Sequence, residues 1–144
     1  MVPYYGEALV LYSAFVLQLV AISSEGWICG RIYSNCFLNE PHPFTSITLA
    51  LLVIATIFTL IAAILQTICI VKHTERYLLY SKISTFCAAI FGVAGIFYYF
   101  DLFFKQYWSQ HIAGFVAGIT TGLSAYQMTN VFQEVFENCR LRKG

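Results

Sequence analysis

Charge is the property this 144-residue sequence has least of: Asp, Glu, Lys and Arg together make up 10% of it, far below the share that covers an ordinary soluble domain. Hydrophobic residues reach 59% and the mean hydropathy is +0.71, which excludes water as the solvent for most of the chain. No polar stretch is long enough to fold as a separate soluble domain. Histidine is scarce too, and His42, His73 and His111 have no ligand spacing among themselves or with cysteine, so no metal or other cofactor is expected. There is no Cys-x-x-Cys pair and no nucleophile with a base at a useful spacing, which argues against an enzyme. A basic stripe is missing, and nucleic acid is not an expected partner. No Lys or Arg precedes the first apolar run; without that basic flank, the run is expected to stay as a permanent span rather than a cleaved signal.

What is present is a set of four runs free of Asp, Glu, Lys and Arg: Ala8 to Ser24, Pro43 to Val71, Ile83 to Phe100 and Ile112 to Gln133. Each is close to the roughly 20 residues that cross a bilayer core. Tyr4 and Tyr5 extend the first, and Leu102, Phe103 and Phe104 extend the third. The expected architecture is an all-α integral membrane protein, a left-handed four-transmembrane-helix bundle with short loops. It forms one domain over residues 1–144, with approximate spans 5–24, 45–71, 83–104 and 111–133.

Charge asymmetry sets the expected orientation. Lys72, Arg76 and Lys82 lie between spans two and three, and Arg140, Arg142 and Lys143 follow span four, whereas Arg31 and Lys105 fall on the other side. The positive-inside rule then places both termini in the cytoplasm, in a plasma or secretory-pathway membrane. Trp27, Tyr107 and Trp108 mark the outer interface, and Tyr77 and Tyr80 the inner one.

The first outer loop contains Cys29 and Cys36, which face the oxidising side. A disulfide between them is expected, holding a small loop on the membrane surface, with two free thiols as the alternative. Trp27 and Arg31 are the residues this loop offers to a partner. Span four repeats glycine every four residues, at Gly114, Gly118 and Gly122, beside a second small row of Ala113, Ala117, Thr121 and Ala125. Ala88, Gly92 and Gly95 in span three, and Thr59, Ala63 and Thr67 in span two, follow the same logic. Rows of this kind bring helices to backbone contact in lipid, packing the four spans together or receiving a second protein.

Ionisable residues are missing from the middle of the spans, the usual mark of a transport path. Asp101 is the deepest and has Lys105 four residues on as a pairing partner. Gln18, Gln66, Gln127 and Asn130 are neutral and do not define an ion relay. Cys139 follows span four immediately ahead of Arg140, a setting suited to S-acylation.

Trp27 closing span one, followed by Cys29 and Cys36 in the first outer loop, resembles the claudin and peripheral-myelin-protein superfamily, whose hallmark is a Trp followed by two Cys. The short loops, together with His111-Ile-Ala-Gly-Phe-Val-Ala opening span four, are similar to MARVEL-type tetraspans of the myelin-and-lymphocyte-protein group. Both resemblances imply a non-catalytic tetraspan, an accessory or scaffolding subunit or a membrane organiser. Its partners are then membrane lipids and another integral membrane protein or a second copy. A small channel or transporter formed by oligomerisation is the alternative, and an integral membrane enzyme the third.

Overall fold

The computed structural model describes residues 3–27, 44–72, 75–102 and 108–141, with side chains over 5–27, 46–72, 76–99 and 108–133. These residues form four helices: α1 (Pro3–Ser23), α2 (Phe44–Lys72), α3 (Glu75–Leu102) and α4 (Trp108–Leu141). Pro3 takes the first helical position of α1, where its fixed φ suits the helix and its missing N–H removes no intrahelical bond. Beyond it, no proline interrupts any of the four helices, so their hydrogen-bond ladders run unbroken.

The helices pack in a ring, α1 on α2, α2 on α3, α3 on α4 and α4 back on α1, and among the described residues the diagonal pairs do not meet. Buried positions recur in alternating steps of four and three. In α1 they are Glu7, Leu11, Ala14, Gln18 and Ala21; in α2, Thr48, Leu52, Ala55, Thr59, Ala62 and Gln66; in α3, Ser81, Thr85, Ala88, Gly92, Gly95 and Tyr99. That spacing keeps one seam of each helix turned toward its neighbours over its whole length.

The seams are small or polar, while the large apolar side chains point outward. Leu9, Val16, Ile57, Ile64, Ile90, Phe97, Phe115 and Phe132 are all exposed, whereas the interior is mostly Ala, Ser, Thr and Gln. A water-soluble bundle has the opposite distribution, because apolar burial drives its folding. In lipid that drive vanishes between helices, and close packing of small residues with interhelical hydrogen bonds replaces it.

α2 and α3 form the most extensive contact in the ring. Ser81 donates its hydroxyl to the Ala62 carbonyl at 3.0 Å and Ser84 to the Phe58 carbonyl at 2.9 Å. Such bonds require backbones that nearly touch. Farther along the same contact Gly95 also lets the two helices approach closely, since a Cβ there would lie 3.2 Å from Leu51 Cβ. Phe58 and Phe91 stack beside the same interface, with ring centroids 5.8 Å apart.

At the opposite end from the α2–α3 link, Trp27 folds back into the bundle and is 2% exposed. Its indole N–H donates to the Ala21 carbonyl at 2.8 Å, and its ring packs with Leu52, Ile96, Tyr99 and Ala113. Gly26 lies so close to α4 that a Cβ would run into Ser109 Oγ and the Trp108 indole. Ser24 and Ser109 share a hydroxyl hydrogen bond of 2.6 Å at the same crossing.

Two expectations are corrected, and two observations bear on the spans. The third helix begins at Glu75, eight residues before the expected span, since Arg76 and Lys82 end the apolar run without breaking the helix. α1, α2 and α3 are long and apolar enough to cross a membrane, but α4 is not among the helices that meet this measure over its described residues; Gln110, His111, its glycines, Thr120, Ser124 and Gln127 dilute its apolar character. Trp27, expected as a surface contact, is an interior residue of the bundle. Two glycines of the α4 row, Gly118 and Gly122, are exposed and do not pack against the described residues of this chain's other helices.

Candidate functional site

Three helices converge on one carboxylate. Glu7, in the second turn of α1, is 9% exposed. Its Oε2 accepts a hydrogen bond from Gln127 Nε2 of α4 at 2.7 Å and a longer one from Gln66 Nε2 of α2 at 3.3 Å. Gln66 and Gln127 are 0% and 1% exposed. Both glutamines therefore spend their N–H on a shared acceptor, and both amide oxygens are left buried without a hydrogen-bond partner.

One turn deeper, the cluster has an apolar floor. Leu11 lies four residues after Glu7, Ala62 four before Gln66 and Leu123 four before Gln127, and with Ala63 they form one packed cluster. On the diagonal helix, Lys82 is 8% exposed, next to the fully buried Ser81. Tyr12 and Thr67 share a hydroxyl hydrogen bond of 3.2 Å on the outer side of the α1–α2 contact. This half of the bundle, where α2 ends and α3 begins, thus holds an acid and a base among small residues.

Runs without charge do not single out Glu7, which lies immediately before the first of them. Its position four residues before Leu11, in step with Ala14, Gln18 and Ala21, was the available signal, since it places Glu7 on the buried seam. Gln66 and Gln127 were recognised as polar residues within spans but not as partners of a carboxylate.

The remaining candidates separate into three groups. Ala88, Gly92 and Gly95 lie inside the ring, with a Cβ at Gly92 coming 3.7 Å from Ala117 Cβ and 3.9 Å from Ala55 Cβ. On the outside, a Cβ at Gly118 or Gly122 would meet nothing within 4 Å, and one at Gly114 would reach only Ile96 Cγ2 at 4.0 Å. Thr121 and Ala125 continue this small face and line a groove of about 560 Å³ between α3 and α4, together with Phe86, Ile90, Val93 and Met128. The third group, Cys29, Arg31 and Cys36 along with the side chains of Asp101 and Cys139, lies outside the described residues. Neither Cys69 nor Cys87 is in a disulfide.

Comparison of the chain with protein-family models, with curated proteins and with solved structures gave no match in any of the three.

Proposed function

We propose that this is a non-catalytic four-span membrane protein with both termini cytoplasmic, which acts as an accessory or scaffolding subunit by receiving a helix of another membrane protein on the outer face of α4. The observation that carries this reading is the open space at Gly118 and Gly122. A small-residue row that its own bundle does not use is a surface on which a foreign helix can approach to backbone contact. The adjoining groove between α3 and α4 extends that surface.

Counting α4 as a span is supported by its place in the ring and by its outward Phe115, Tyr126 and Phe132. The four-three spacing of the buried seams favours left-handed packing. The claudin-like and MARVEL-like resemblances are the two family alternatives within this reading. Lipid sorting through the same outer face is compatible with either.

Purification in mild detergent, followed by identification of co-purifying membrane proteins, tests the proposal. Parent and Gly118→Leu should fold alike, and the variant should lose the companion. Equal recovery of the companion with both would remove the α4 face from the account.

A second reading, a small channel or transporter assembled from several copies, draws on Glu7 and Lys82, two ionisable residues that are buried in the bundle.

A further inference from the structure

We propose that Glu7, Gln66 and Gln127 form a binding site for a small monovalent cation, a proton or a sodium ion, in the half of the bundle where α2 ends and α3 begins. Burying an ionised carboxylate among transmembrane helices is costly unless its charge is matched, and a carboxylate so placed is by default a candidate functional site. Among the described residues Glu7 forms no ion pair; its partners are two neutral amides.

The two unpartnered amide oxygens are the second observation. A half-turn of a glutamine's terminal torsion exchanges its N–H and C=O. In the structure both N–H groups turn toward the carboxylate. With a cation on the carboxylate, the amide oxygens turn in to share it. The 2.7 Å separation between Glu7 Oε2 and Gln127 Nε2 is that of a short N–H···O hydrogen bond; with the amide turned about, a proton bound to Glu7 is donated to Gln127 Oε1 instead. A sodium ion instead draws both amide oxygens and the carboxylate around itself. One carboxylate and two amides carry a single negative charge, which matches a monovalent ion; divalent calcium sites gather more oxygen ligands and more charge.

The surroundings restrict how the ion enters and leaves. The floor of Leu11, Ala62, Ala63 and Leu123 closes the deep side, so exchange takes place from the end where α3 begins. Besides Glu7, the titratable groups described in this half are Tyr5 and Tyr12 on α1, Cys69 and Lys72 on α2 and Tyr126 on α4, with Arg76, Tyr77, Tyr80 and Lys82 on the diagonal helix α3. Of the charged groups among them, only Lys82 is buried.

The test is labelling of the full-length protein in detergent with dicyclohexylcarbodiimide, which attacks protonated carboxyls in apolar surroundings, with the modified residue mapped by peptide mass. Labelling at Glu7 should depend on the concentration of the bound ion, proton or sodium. Protection by sodium at fixed pH and ionic strength would identify the ion as sodium; a response to pH with no sodium effect would identify a proton. Gln127→Leu should move the sodium concentration or pH of half-labelling by about tenfold in ion concentration, the equivalent of one hydrogen bond to a charged group. Gln18→Leu, on the same seam of α1 but three turns away, should leave it unmoved. A folded protein with Glu7 unlabelled at every pH, or labelled equally at every pH and sodium concentration, would overturn the site.

Discussion

The ring of Trp27 stands edge-on to that of Tyr99, with centroids 5.1 Å apart and planes at 84°. This pair closes one end of the bundle, because Trp27 follows α1 while Tyr99 belongs to α3, and among the described residues the backbones of α1 and α3 do not approach each other. Removing the indole leaves a large cavity among residues from all four helices. Trp27→Ala is expected to cost about 3–5 kcal/mol, and Trp27→Phe, which keeps a ring but loses the N–H to Ala21, less. Unfolding in mixed micelles measures both, and equal stability of Trp27→Ala and the parent would contradict the interior role.

Gly95 and Gly118 are chemically identical and structurally opposite. Gly95→Leu forces apart α2 and α3, where Leu51 and Leu52 already lie within 3.5 Å of an added Cβ, and should destabilise by about 1–3 kcal/mol or more. Gly118→Leu should leave the isolated chain's stability within about 0.5 kcal/mol. Thermal stability of the two purified variants separates these outcomes.

Loss of either glutamine should weaken the hold of α1 on the bundle, unequally. Gln127→Leu removes the shorter bond to Glu7 and is expected to cost about 1–3 kcal/mol. Gln66→Leu removes the longer one and should cost less. Glu7→Leu combined with both substitutions should recover part of the loss, since an apolar cluster of similar volume leaves no carboxylate to satisfy. A triple variant less stable than either single one would show that the polar cluster is not replaceable by packing.

Cysteine chemistry should divide by side of the membrane. Peptide mapping without reductant is expected to recover Cys29 joined to Cys36. Acyl-exchange labelling should find a thioester at Cys139 that Cys139→Ser abolishes. Two free outer thiols, or equal labelling of parent and variant, would each remove the corresponding modification.

How far the sequence could be read depended on which contrast each feature rests on. Charged residues border apolar ones sharply, so the four helices were legible from runs without Asp, Glu, Lys or Arg. The same contrast did not locate the start of α3, because Lys82 interrupts hydrophobicity without interrupting the helix. The division between interior and exterior was harder to see. In a soluble bundle polarity marks the outside, but here Ile57 faces out and Thr59 faces in, so small or polar character at four-three spacing is the only guide. Glu7 fell between two categories, ending the charged flank while opening a buried seam. The outward turn of Gly118 was not legible at all, since a glycine row reads the same whether its own bundle or a foreign helix covers it.

The hydroxyl bonds from Ser81 and Ser84 to the carbonyls of α2 bear on how the chain is built into the bilayer. Only two residues separate Lys72 from Glu75, so α2 and α3 emerge in close succession and their hydroxyl bonds need no group from the other two helices. α1 is synthesised first but cannot finish docking then: the shorter of the two bonds to Glu7 comes from Gln127, on the helix made last. The first helix therefore cannot complete its contacts until α4 has been made. A nascent chain stalled after Leu102 should show the α2–α3 pair already protected from thiol probes at its contact face and α1 still accessible; protection of α1 at that stage would reverse the order.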